Sequence, residues 1–228
     1  MKGSNLNEGY KALSSLEERL KAHDDNRFLP TRIVKFGDHP QVLAPSDEHW
    51  SSMLVSTSWD ASSGGTYMWK MIQEDVKSKY RPAGGKLRVV VITDGADNMS
   101  PGKYAGVRGF DPLMTNLLDN GYDIEWNIIV VGNYDGIIFK KELSESDQRL
   151  YESLCRATGG HFVSVGADGW NENDKDISAF LEAIEDSGYE DTEVDRIGRQ
   201  EQYRLEAGKG GVEKFDWLPA IPRKPKDE

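Results

Sequence analysis

A nearly continuous apolar run at residues 87–92 constrains the fold more than any other feature of the sequence. The run reads Leu-Arg-Val-Val-Val-Ile. A strand with one wet face alternates apolar and polar residues, whereas a parallel strand covered on both faces is apolar almost throughout. We therefore expect a buried strand of a parallel sheet, with helices packed on both sides of it.

Helical and strand patterns alternate on both sides of this run. Apolar residues at helical spacing predict helices over 6–20, 69–80, 111–120, 144–158 and 177–184, with a shorter helix at 46–55. Short apolar runs predict further strands at 124–131 and 162–165. Helices that alternate with strands indicate an α/β protein built on a parallel sheet.

A hairpin is predicted between the first two long helices. Ile33, Val34 and Phe36 form its first strand, residues 37–40 the turn, and residues 41–43 the returning strand. We therefore predict a Rossmann-like, doubly wound α/β sheet that is mostly parallel and has one antiparallel edge strand.

The two ends of the chain differ from the middle. Asn5 followed by Glu8 predicts an N-cap and its capping-box partner, so the chain opens on a helix rather than on a buried strand. Asp111 and Pro112 predict another helix start. The domain is predicted to span residues 1–188, and the charged tail at 189–228, with its glycines and prolines, to be flexible.

Charge and cysteine content narrow the classes of partner and compartment. The chain carries 28 Lys and Arg against 39 Asp and Glu, a net charge of −11. Such a surface repels phosphate backbones and anionic lipid, so nucleic acid and membranes are not expected as partners. The one cysteine, Cys155, is predicted to be a buried structural thiol, and the lack of disulfides suggests a cytoplasmic protein.

Two oxygen-bearing side chains stand where ligands are commonly bound. Asp94 directly follows the apolar run, at the carboxyl end of the predicted strand, and Thr66 precedes a helix in the segment Ser-Ser-Gly-Gly-Thr. Both could simply cap a turn or a helix. Hydroxyl and carboxylate oxygens also suit Mg²⁺ or Ca²⁺, and no Cys/His cluster with zinc-ligand spacing is present.

Four segments in order resemble von Willebrand factor A domains. Residues 92–98, Ile-Thr-Asp-Gly-Ala-Asp-Asn, resemble the family's fourth strand and its loop, and residues 64–66, Gly-Gly-Thr, its threonine loop. Residues 34–38 resemble the second strand, and residues 157–162 the turn into the last strand. The resemblance covers about residues 1–188 and implies a Rossmann-like fold with a metal-ion-dependent adhesion site.

The resemblance implies a partial metal site. In the family, an Asp-x-Ser-x-Ser loop, a threonine and a second aspartate hold Mg²⁺, which binds an acidic side chain of another protein. Thr66 and Asp94 match the last two ligands, whereas residues 1–13 match the helix that follows the first loop. The central first strand and that loop are therefore expected to be missing, because translation started at an internal methionine or because the chain is a truncated form.

Two ligands are too few to hold Mg²⁺, so we do not expect this chain to retain it; Ca²⁺ or Mn²⁺ could occupy a restored site. The resemblance further implies a partner-binding loop around the metal. Its residues are Gly65, Gly95, Asp97, Met99 and Ser100.

The sequence therefore predicts a protein-binding module rather than an enzyme. No dinucleotide-binding glycine motif, phosphate-binding loop or nucleophile elbow is present. Two alternatives stay open, a metal-independent accessory subunit and a hydrolase-type enzyme that uses Asp94 and Asp97 as an acid/base pair.

Overall fold

A computed structural model describes residues 4–22, 33–36, 41–43, 67–80, 86–95, 99–106, 109–131, 145–165 and 169–185. The predicted helix at 46–55, the domain boundary at residue 188 and the tail at 189–228 lie outside these ranges. So do three of the predicted site residues, Gly65, Thr66 and Asp97.

Helices and strands alternate along the described chain as predicted. The helices are α1 (Ser4–Lys21), α2 (Trp69–Lys79), α3 (Phe110–Asp119), α4 (Glu145–Ala157) and α5 (Lys175–Glu185). The strands are β1 (Ile33–Lys35), β2 (Gln41–Leu43), β3 (Lys86–Thr93), β4 (Asp123–Val131) and β5 (Phe162–Val165). A short 3₁₀ turn, Gly102–Tyr104, precedes α3.

Strands β3, β4 and β5 form a parallel sheet in that order. Lys86 pairs with Asp123 at the start of β3, and Thr93 pairs with Val130 at its end. The apolar run at 87–92 is thus a parallel strand, as predicted. It is less buried than predicted: β3 lies at an edge of the described sheet, and Val91 is the one residue of the run that is buried there. The three-stranded parallel sheet with its helices is consistent with a Rossmann-like α/β fold.

The hairpin is present, and Val34 pairs with Val42 in the antiparallel ladder of β1 and β2. Among the described residues these two strands form a sheet of their own rather than an edge of the parallel sheet. Its place beside the parallel sheet, and the loss of a central first strand, therefore stay predictions.

Helices cover both faces of the sheet because β4 is apolar on both. One face buries Trp126 and Ile128 against α2, α3 and α4, and the other buries Ile129 and Val131 against α1 and α5. Burying apolar side chains is the main favourable term in folding. No helix in the described ranges has both the length and the apolar composition to cross a membrane.

Two helix starts differ from prediction. Helix α3 begins at Phe110, one residue early, so Asp111 and Pro112 lie inside its first turn. Helix α1 begins at Ser4, so Glu8 lies well inside it. The carboxylate of Glu8 does not close a capping box but accepts hydrogen bonds from the backbone N–H of Trp170 and from Lys11 Nζ.

A buried polar group on β4 joins three elements. Glu125 is 3% exposed, and its Oε1 accepts hydrogen bonds from Arg88 Nε at 2.7 Å and from Asn127 Nδ2 at 2.9 Å. Arg88 Nη1 also donates to the carbonyl of Ile184, in the last turn of α5, at 2.7 Å. Arg88 therefore neutralises Glu125 and binds β3 to both β4 and α5.

The single cysteine lies in this interior. Cys155, on α4, is buried as predicted, and burial raises the pKa of its thiol well above the ordinary value. A thiol that resists ionisation is a poor nucleophile. A structural role for Cys155 follows.

Replacing Arg88 should destabilise the fold strongly. We expect Arg88→Ala to lower the free energy of unfolding by about 3 kcal/mol, because Glu125 would remain charged and buried without its cation. Urea denaturation followed by circular dichroism measures this. The exposed substitution Thr115→Ala on α3 is the control and should change stability by less than about 0.5 kcal/mol; an equally small effect of Arg88→Ala would contradict the assignment.

Acid should destabilise the contact between α1 and the segment before α5. Burial raises the pKa of Glu8, but the hydrogen bonds from Lys11 and Trp170 and the charge of Lys11 outweigh it, so the net pKa lies below 4.5. A lowered pKa stabilises the folded state above pH 4.5, and this contribution is lost as the pH falls through the folded-state pKa.

The measurement is the free energy of unfolding between neutral and acidic pH. Glu8→Gln should cost about 1.5 kcal/mol at neutral pH and should lose less further stability on acidification than the wild type. Glu18→Gln, an exposed position on the same helix, should follow the wild-type curve. Parallel wild-type and Glu8→Gln curves would show that Glu8 does not cause the acid sensitivity.

Candidate functional site

The carboxyl ends of the three parallel strands lie at one edge of the sheet. They are Thr93 on β3, Val131 on β4 and Val165 on β5. In open α/β sheets, ligands bind beyond this edge, on the loops that follow the strands. Asp94 and the other described members of the predicted site follow β3 directly, so the edge beyond β3 is the candidate site.

A turn closed by the Thr93 hydroxyl holds Asp94 at the end of β3. The Oγ1 of buried Thr93 accepts a hydrogen bond from Gly95 N–H at 3.2 Å and donates one to the Gly95 carbonyl at 2.9 Å. The Tyr151 hydroxyl of α4 lies 3.5 Å from the same carbonyl. Asp94 is half-buried between these two anchored residues. Its backbone position is therefore set by β3 and supported by α4.

Ser100 joins the loop after β3 to the start of α2. Its side chain is buried, 4% exposed, and its Oγ accepts a hydrogen bond from the Lys70 backbone N–H at 3.3 Å. The first N–H groups of a helix have no partner within the helix, and the N-cap residue Met68 makes no side-chain cap. Ser100 supplies that cap from a distant part of the chain, so it positions the loop from inside.

An aromatic cluster anchors the far end of this loop. The ring nitrogen of Trp69 donates to the Gly106 carbonyl at 2.8 Å. The Trp69 ring is fully buried and meets Phe110, Trp126 and Tyr151 edge-on, with centroids 5.9, 6.1 and 5.9 Å away. Edge-to-face geometry is favoured for aromatic pairs. The loop from 99 to 106 is therefore held at both ends by α2.

Gly109 permits the close approach that this arrangement needs. A Cβ at this position would collide with the carbonyl oxygen of Tyr104. Glycine is the residue that lets two backbone segments pack this closely. The 3₁₀ turn before α3 can thereby fold back against the start of that helix.

The structure brings four of the predicted site residues to this edge. Gly95 and Ser100 are anchored as described, Asp94 stands between Thr93 and Gly95, and Met99 is 51% exposed beside Ser100. Thr66 lies outside the described residues. The chain is described again from Tyr67, one residue after Thr66, and enters α2 next to Ser100.

The described residues do not by themselves make a metal centre. Within the described ranges, no three His, Cys, Asp or Glu side chains stand close enough together to hold an ion. Mg²⁺ requires near-ideal octahedral oxygen coordination, and Asp94 supplies one carboxylate group at the end of β3. Because Thr66 and Asp97 lie outside the described residues, metal binding through Thr66 and Asp94 stays a prediction.

Sequence reasoning missed two lysines and a tyrosine at this edge. Lys70 Nζ lies 5.6 Å and Lys103 Nζ lies 5.4 Å from the centroid of the buried Tyr104 ring. Both distances are within the range of cation–π attraction. No local pattern relates Lys70 to Tyr104, because only folding brings α2 against the 3₁₀ turn.

These features define a class rather than a family. The chain is an α/β protein with a parallel sheet flanked by helices and a braced loop at the carboxyl edge of that sheet. Comparisons with family models, with curated proteins and with solved structures each found no match for this chain.

Removing the Ser100 hydroxyl should loosen the link between the loop and α2. We expect Ser100→Ala to lower the free energy of unfolding by about 1 kcal/mol, the usual cost of losing a helix cap. Thermal or urea unfolding measures the change. Ser78→Ala is the control, because the exposed Ser78 hydroxyl bonds within α2, to the Asp75 carbonyl; a larger loss from the control would refute the capping role of Ser100.

Proposed function

We propose that this chain is a protein-binding module of the kind that the von Willebrand factor A resemblance implies, with the carboxyl edge of the sheet as its contact surface. The observation that carries the proposal is the hydrogen bond between Ser100 Oγ and Lys70 N–H. It joins the loop after β3 to the first turn of α2, and this contact supports the proposal that the loop and the residues before α2 act as one site.

The braced loop suits binding because little of its backbone would have to be ordered on association. Thr93 anchors its start, Ser100 its middle and Trp69 its end. A preorganised surface loses less conformational entropy when a partner binds. Met99 is exposed on this loop. Methionine is enriched at protein interfaces and adapts to irregular surfaces.

The role of a metal is a separate part of the proposal. Following the family resemblance, Thr66 and Asp94 would be two of the residues that hold Mg²⁺, whose charge would attract an acidic side chain of the partner. Without a metal, binding would depend on the protein surface alone. The second case is the metal-independent accessory subunit considered above.

Photo-crosslinking tests whether the carboxyl edge is the contact surface. Met99→p-benzoyl-phenylalanine places the crosslinker at this edge, and Lys79→p-benzoyl-phenylalanine places it at the far end of α2. That end lies at the opposite edge, because the neighbouring Tyr80 carbonyl accepts a hydrogen bond from Tyr122, just before β4. In cells that express the full chain, we expect a discrete protein adduct from position 99 at several times the yield from position 79.

The outcomes separate the hypotheses. Equal yields from the two positions, or adducts from position 79 alone, would contradict the assignment of the contact surface. The crosslinking at position 99 is repeated with a chelator present and, in parallel, in the Asp94→Asn variant, to test whether the contact depends on a metal. Loss of the position-99 adduct in both would support a metal-dependent contact, whereas an unchanged adduct would support the metal-independent accessory subunit.

A further inference from the structure

The most distinctive surface at the carboxyl edge combines two cations with an apolar side chain. We call it the lysine–methionine surface, and it consists of Lys70, Met99, Lys103 and Tyr104. Met99 is 51% exposed and is the exposed large apolar side chain of the described residues. Its neighbour Ser100 accepts a hydrogen bond from Lys70 N–H, so Met99 lies beside the start of α2.

Tyr104 holds both lysine side chains at this surface. Its ring is buried, and the 3₁₀ turn fixes its backbone, since Tyr104 N–H donates to the Pro101 carbonyl at 3.2 Å. The ammonium groups of Lys70 and Lys103 lie 5.6 and 5.4 Å from the ring centroid. A lysine held over an aromatic ring has lost part of its rotamer freedom, so it loses less on binding a ligand.

The surface brings two cations together on a protein that is acidic overall. The protein has a net charge of −11, yet α2 and the 3₁₀ turn bring two ammonium groups to one ring. Lys70 Nζ also lies 3.2 Å from the carboxylate of Glu74, a mostly exposed residue one turn further along α2. The surface thus already attracts a carboxylate of its own chain.

We propose that the lysine–methionine surface binds an acidic peptide segment that carries an apolar side chain. The carboxylates of the segment meet Lys70 and Lys103, displacing Glu74 from Lys70, and the apolar side chain packs on Met99. The proposal rests on the proposed function, because it names the chemistry of the partner at the same edge. It needs no metal.

Fluorescence anisotropy of the full chain tests this chemistry. The probe is a fluorescein-labelled oligoglutamate peptide with one central leucine, and the same peptide with glutamines in place of the glutamates is the uncharged control. We expect the acidic probe alone to bind, and its affinity to fall as salt is raised from low to physiological ionic strength. Lys103→Glu should weaken binding about tenfold, because it reverses a charge at the contact.

A matched variant separates a local contact from a general effect of net charge. Lys79→Glu makes the same change of charge at an exposed position on α2 that lies away from this surface. It should leave binding within about twofold of the wild type. Met99→Ser should weaken binding but keep its dependence on salt. Circular dichroism checks that each variant folds.

The results that would overturn the acidic-segment proposal differ from those that would contradict the crosslinking prediction. Failure of the wild type to bind the acidic probe, or an equal loss in Lys79→Glu and Lys103→Glu, would overturn the acidic-segment proposal. If position 99 still gives a protein adduct, the contact surface stands and its partner is recognised by other chemistry. If the probe binds but position 79 gives the adduct, the lysine–methionine surface binds acidic peptides and the protein contact lies elsewhere.

Discussion

The structure depends on the burial of β4 on both of its faces. Every residue of this strand after Asp123 is buried, so helices must cover the sheet on both sides. The same burial makes Glu125 costly unless it is paired, and Arg88 and Asn127 meet that need. Arg88 also donates a hydrogen bond to a carbonyl in the last turn of α5, so one side chain links β3 to both β4 and α5.

The parallel pairing of the strands determines where the candidate site lies. The carboxyl ends of all three strands emerge at one edge, and the loop after β3 is drawn there onto the first turn of α2 by Ser100. The described parts of this loop are held against α2 and α4, because the side chains of Trp69 and Tyr151 lie within hydrogen-bond distance of the Gly106 and Gly95 carbonyls.

We propose an acidic partner on the basis of two features. The von Willebrand factor A resemblance implies one, through Mg²⁺ with Thr66 and Asp94 as predicted ligands. The other is the pair of ammonium groups, of Lys70 and Lys103, over the Tyr104 ring, and it needs no metal.

The sequence by itself determined the features whose signal is local. The periodicity of α2, the strand nature of residues 87–92, the antiparallel pairing of β1 with β2 and the position of Asp94 after a strand are all read from neighbouring residues, and the structure agrees with each. Folding alone brings Glu8 to Trp170, Ser100 to the start of α2, and Lys70 to the Tyr104 ring. These contacts join residues far apart in the chain, so no local pattern encodes them, and they exist only once the sheet has brought its helices and loops together.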